Sequence, residues 1–158
     1  QQSSKKSNPD ALNMYGKLLL DGECVPMDKS EAKYLFKVAI SFGNTDAMVN
    51  LGLMLQNGNG VKADGKEAAR LFKLSADKGN VNGMYNYAKI LFTGEGIPCN
   101  LQESFQYYKM GADNGDPASM AECGRMLIDG IGCPLNHEEA IKYMKKSADL
   151  NNPRGLFL

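Results

Sequence analysis

The feature that most constrains this chain is a period. Gly22, Gly58, Gly94 and Gly130 follow one another at intervals of 36 residues with no insertion. Gly16, Gly52, Ala88 and Gly124 keep the same register, as do Ala32, Ala68, Ser104 and Ala140. Self-similarity at this spacing marks an array of one supersecondary unit, because a unit so short cannot bury its apolar face without neighbours. Four copies, residues 8–43, 44–79, 80–115 and 116–151, take up nearly all of the 158 residues. Residues 1–7 form a polar lead expected to be disordered, and residues 152–158 read as the start of a fifth repeat or a capping stub.

Each copy carries two sets of helix punctuation. Asn8, Asn44, Asn80, Asp116 and Asn152 are N-cap residues in register, and Pro9, Pro117 and Pro153 follow three of them, where a missing N–H costs nothing. A first helix of about 13 residues is expected from each cap to the glycine series, where glycine takes the left-handed C-terminal conformation. A second helix is expected to begin at Asp28, Asp64, Asn100 and Asn136, each with a glutamate three residues on, which predicts a capping box. It should end at Gly43, Gly79, Gly115 and Asn151. The second helix has an apolar stripe such as Ala32, Leu35, Phe36, Ala39 and Ile40, and the first a stripe such as Ala11, Leu12, Tyr15, Gly16 and Leu19. The fold class expected is all-α: a solenoid of four helix-turn-helix repeats plus a truncated fifth helix.

Composition narrows the function classes. Eighteen basic residues balance eighteen acidic ones, so the broad attraction used in non-specific nucleic-acid or anionic-membrane binding is missing. Neither nucleic acid nor membrane is an expected partner, and no apolar run approaches the roughly 18 residues that span a bilayer. Four cysteines at four different repeat positions, with no CxxC pair, suggest neither a disulfide framework nor a zinc site. A reducing, cytoplasmic setting is the simpler expectation. A chain that opens on Gln1 rather than Met reads as a segment of a longer protein.

The recurring Leu-Gly, Gly-x-Gly-Val, Asp, Glu-Ala and Ala-Asp-x-Gly-Asn phrases resemble the Sel-1-like repeat family, relatives of the tetratricopeptide repeats. The clearest copy runs from Ala47 to Asn80, with Leu51, Gly52, Leu55, Gly58, Gly60, Val61, Asp64, Glu67, Ala68, Phe72, Ala76 and Gly79 in place. Cys24 replaces the second loop glycine, Cys133 the valine and Ala88 the first-helix glycine, without breaking register. The resemblance implies a right-handed α-α superhelix, first helices lining the concave side, and a role as adaptor or scaffold in protein complexes. It also implies arrays appended to catalytic domains, protein kinases among them.

The first-helix face left over after the core stripe is the one that varies between copies. It offers apolar Val49, Leu53, Tyr85, Phe92 and Ile128, with Lys17, Lys89 and Arg125 at the rim and Asn13 beside them. These are the candidate partner-binding residues, suited to clamping an extended peptide or a helix; the competing reading has several of them packing against the next repeat. Tyr85 and Leu53 are the expected anchors, with neither belonging to the core. Lys37, Lys73, Lys109 and Lys145 read as a solvated face.

Little points to catalysis. His137 is the only histidine and follows a cap, so it is expected at an exposed first turn; Cys123 aligns with Tyr15, Leu51 and Tyr87 and is expected in the core. No cofactor or metal site is expected, the glycine loops lack the Lys-Ser/Thr of a phosphate loop, and a repeat-fold hydrolase is disfavoured. The function expected is a non-catalytic protein-interaction module, with self-association through open array ends as another class of reading.

Overall fold

The structure, a computed structural model, describes residues 8–151. They form α1 (Pro9–Asp21), α2 (Lys29–Ser41), α3 (Thr45–Asn57), α4 (Gly65–Asp77), α5 (Val81–Thr93), α6 (Leu101–Asp113), α7 (Pro117–Asp129) and α8 (His137–Asn151). No strand occurs among the described residues, and the fold is an all-α solenoid of helix pairs. The fifth-repeat stub and the disordered lead expected at the termini lie outside the described residues.

The helices start where capping chemistry starts them. Asn44 Oδ1 accepts the Ala47 amide at 2.7 Å, Asp116 the Ser119 amide at 3.2 Å, and Asn80 the amides of Asn82 and Gly83 at 2.9 and 3.1 Å. Each first helix runs 13 residues. It stops at a glycine of φ between 66° and 77°, a region closed to most side chains. The second helices are capped by Asp28, Asp64, Asn100 and Asn136, whose side chains accept the amide of the glutamate three residues on at 3.0–3.1 Å. The capping box forms only on that side. Among the described residues no glutamate returns a bond to the cap amide, and Glu67 instead grips Arg70 at 2.6 and 2.9 Å.

Two compact units divide the chain after Gly83. In the first, α1 packs on α2, α3 on α4, and α2 on α3 around Phe36, Ala39, Met48, Leu51 and Met54. In the second, α6 packs on α7 and α7 on α8 around Ala88, Tyr108, Met120, Cys123 and Met126. One motif recurs inside the repeats: a first-helix glycine lies under a bulky second-helix side chain. A Cβ on Gly52 would stand 2.6 Å from the Phe72 ring, one on Gly16 2.8 Å from Phe36, and one on Gly124 2.6 Å from Met144.

The first-helix core is wider than the sequence reading allowed. Met54, Ile90 and Met126, at one repeat position outside the expected stripe, are among the most buried side chains. In the first repeat the stripe is partly uncovered. Tyr15 is 48% exposed where Leu51 and Tyr87 are 5% and 7%, and Ala11 and Leu18 are exposed too. The counterparts of these residues in the second repeat are covered by α2; among the described residues no helix precedes α1 to do the same.

Candidate functional site

In the first unit, α1 and α3 present adjacent turns of their variable face and, with the first turn of α5, enclose a cleft of about 260 Å³. Its lining is Asn13 and Lys17 from α1, Asp46, Val49 and Asn50 from α3, and Asn82. Three of the candidate residues therefore meet in one place. Lys17 is exposed at the rim, with no ion-pair partner among the described residues. Val49 is not an exposed anchor, being only 6% exposed; it forms part of the wall, so the expectation of an open apolar contact there is corrected. Leu53, one helical turn on, is half-buried and does not line the cleft.

Asn13 is the unusual member. It is 8% exposed, and its Oδ1 accepts a 2.8 Å bond from Asn50 Nδ2. No other bond to either amide is found among the described residues, so one NH₂ group, Asn13 Nδ2, and one carbonyl oxygen, Asn50 Oδ1, are wholly unused. Asp46, the acid in the cleft, is engaged by Asn80 Nδ2 at 2.7 Å. Asn50 was missed in the sequence because it stands one position beyond the variable face as counted there. The signal was present: its repeat position holds Met14, Asn50, Asn86 and Glu122, polar in three copies.

In the second unit, Phe92 and Arg125 line a smaller cleft of about 130 Å³ with Glu122, Met126, Asp129 and Ile131. Arg125 is ion-paired with Glu122. Phe92 and Ile128 are partly exposed and Lys89 is exposed, while Ile128 and Lys89 do not line that cleft. Tyr85 stands edge-on to Tyr108, ring centroids 5.7 Å apart, and is partly buried against the core cluster without being one of its buried members. Burial, and then the Glu122 carboxylate, push its hydroxyl pKa up.

The remaining chemistry-bearing residues do not converge. His137 is exposed at the start of α8 with Nε2 3.3 Å from the Ile128 carbonyl. Cys123 is fully buried, as expected, and burial pushes its thiol pKa up to about 12. The second-helix lysines are less idle than a solvated face. Lys109 Nζ donates to Tyr143 OH at 3.2 Å, and that hydroxyl donates to Asp113 at 2.9 Å, tying α6 to α8. No group of three potential metal ligands occurs among the described residues, and no helix there is long and apolar enough to cross a membrane.

The model of the Sel1 repeat matches residues 9–43, 45–80, 81–116 and 117–152. Among solved structures, a Sel1 repeat protein from Oxalobacter formigenes is similar at 30% identity and a TM-score of 0.85, over 93% of this chain and 60% of that one. The protein c5321, a protective antigen of uropathogenic Escherichia coli displaying an SLR fold, is similar at 29% identity and a TM-score of 0.87, over 96% of this chain and 32% of that one. Helicobacter pylori cysteine rich protein B shares the fold at 18% identity and a TM-score of 0.58, over 80% of this chain and 96% of that one. The chain thus spans 60% and 32% of the first two relatives' lengths. No curated protein matches it.

Proposed function

We propose, from the premise that this chain belongs to the Sel1 repeat family, that it is a non-catalytic adaptor module and that the α1–α3 cleft holds an extended segment of a partner protein. Sel1 repeat proteins are generally protein-interaction modules, and the fold is a typical non-catalytic scaffold. What carries the finer reading is the Asn13–Asn50 pair. Its unused NH₂ and unused carbonyl oxygen suit one peptide group, which offers one carbonyl and one N–H. Two locked primary amides lose little freedom when they take up a main chain, since one is buried and each is already fixed by the other. Lys17 beside them favours a segment with a carboxylate near the bound peptide group, where the charge would steer approach and add a charge-assisted bond. Phe92, Arg125 and their neighbours on the second unit offer a second, more apolar contact.

Peptides selected against the chain from a display library test this reading. Asn50→Ala removes both the free acceptor and the brace on Asn13, and should weaken the selected peptides about tenfold, the worth of roughly one good hydrogen bond left unmade. Lys17→Ala should act mainly on the association rate and flatten the salt dependence. Selected peptides that bind Asn50→Ala as tightly as the parent, with the variant folded by circular dichroism, would remove the site from this cleft.

A further inference from the structure

The sequence contains four Asn–Gly pairs, Asn57–Gly58, Asn59–Gly60, Asn82–Gly83 and Asn114–Gly115. Such a pair can react with itself: the glycine main-chain nitrogen attacks the carbonyl carbon of the asparagine side chain, and a glycine, having no Cβ, hinders that approach least. The attacking nitrogen must first lose its proton, so an amide that already donates to an acceptor is held back. Three of the four are held. Gly58 donates to the Met54 carbonyl, Gly115 to the Ala112 carbonyl at 3.0 Å, and Gly83, inside the first turn of α5, to Asn80 Oδ1 at 3.1 Å. The Gly60 N–H makes no hydrogen bond among the described residues, and neither does the Asn59 side chain.

The fold itself brings this pair about. The loop over 58–64 is tied at both ends, by Asn59 N to the Met54 carbonyl at 2.9 Å and by Asp64 N to the Leu55 carbonyl at 2.8 Å. Between the ties, Gly60 has a φ of 78° and lies on the start of α2, where a Cβ would stand 2.6 Å from the Lys29 side chain. Close docking therefore requires a glycine at 60, while the residue before it is open to change: Glu23, Glu95 and Ile131 stand at the position of Asn59 in the other copies. Only the second copy sets an asparagine in front of this glycine.

We propose that Asn59 is a site of self-modification, converting to aspartate and isoaspartate ahead of the other three pairs. The Gly60 nitrogen, its proton taken by hydroxide, bonds to Asn59 Cγ; the Cγ–Nδ2 bond breaks, and Nδ2 leaves as ammonia after taking a proton from water. Water then opens the cyclic imide at one of its two carbonyl carbons. Cutting the bond from Cγ to nitrogen gives aspartate; cutting the bond from the α-carbonyl carbon gives isoaspartate, with the main chain rerouted through Cβ. Nothing is oxidised or reduced, and water is the only co-reactant. Either product adds one negative charge to a chain of zero formal net charge. Aspartate suits the position, which holds an acid in Glu23 and Glu95. Isoaspartate does not, because its extra main-chain carbon falls between the tie at Asn59 N and the close contact of Gly60 with Lys29, and so lifts the loop off α2.

Incubation of the intact chain at mildly alkaline pH, followed by peptide mass mapping with fragmentation that separates the two acids, tests the assignment. In the folded chain Asn59 should convert at least about tenfold faster than Asn57, Asn82 or Asn114, and in denaturant the four rates should draw together, since folding alone protects the other three. The isoaspartate form, separated by ion exchange, should show faster hydrogen exchange than the parent over residues 61–64, whereas Asn59→Asp should exchange as the parent does. The proposal is overturned if Asn59 converts no faster than the other three in the folded chain, if its lead persists undiminished in denaturant, or if the isoaspartate form exchanges no faster than Asn59→Asp.

Discussion

At the scale of single residues, the cap asparagines do two jobs that the sequence displays as one. Asn44 caps α3 through Oδ1 while its Nδ2 donates to Asp10 at 2.8 Å, and Asn80 caps α5 while donating to Asp46 at 2.7 Å and Thr45 at 3.0 Å. Aspartate is an equal cap in isolation, but here it would lose the donor and face a second carboxylate. Asn80→Asp should therefore destabilise the chain by about 1–2 kcal/mol, a loss that shrinks as the pH falls through the carboxylate range; thermal melts at neutral and at acidic pH measure it. Cap identity was readable from spacing alone. The second bond was not, because it joins residues 34 apart whose meeting depends on how neighbouring repeats stack. Cys123 makes a second residue-scale prediction. With its pKa raised to about 12, the thiol is neutral in the folded chain. Its contribution is intact below the unfolded thiol value of about 8.5 and is lost as the pH rises past it. Native labelling with a thiol reagent should modify exposed Cys24 and Cys99 and spare Cys123 until the chain unfolds.

At the scale of helices, period and punctuation made the elements legible, since caps and left-handed glycines act within a few residues of themselves. What was less legible is which side of a helix faces a neighbour. The stripe was counted on a single helix pair, whereas the buried set includes Met54, Ile90 and Met126, sheltered once repeats stack. The same cause moved Val49 from the expected surface into the cleft wall and sets Tyr85 partly buried against the core cluster. The glycine-under-phenylalanine contact belongs to this scale. Gly52→Ala would press a methyl against the Phe72 ring at 2.6 Å and should cost about 1–3 kcal/mol, with Phe72→Leu in the same chain recovering part of it. Alanine at Gly43, a left-handed site with open space around it, should cost about 1 kcal/mol through backbone strain, with no rescue from a neighbouring side chain. Denaturant melts of the three variants separate the two mechanisms.

At the scale of the molecule, the repeat supplies four similar parts in register, and the proposed binding positions are those where the parts differ. The variable helix face was visible as such in the sequence, and Asn13 and Lys17 were among its residues; Asn50 was signalled only by the polar residues at its repeat position, and its bond to Asn13 became visible when α1 and α3 were side by side. The central claim is that this cleft takes a partner's main chain. The most direct measurement is a side-chain amide NMR titration of the uniformly ¹⁵N-labelled chain with a display-selected peptide. The account predicts that the NH₂ resonances of Asn13 and Asn50 shift together and saturably, with the backbone amides around Lys17 and Val49, while those around Lys33, Lys37 and Arg70 on the second helices stay in place. Saturable shifts confined to the second helices, with the Asn13 and Asn50 resonances unmoved, would contradict it.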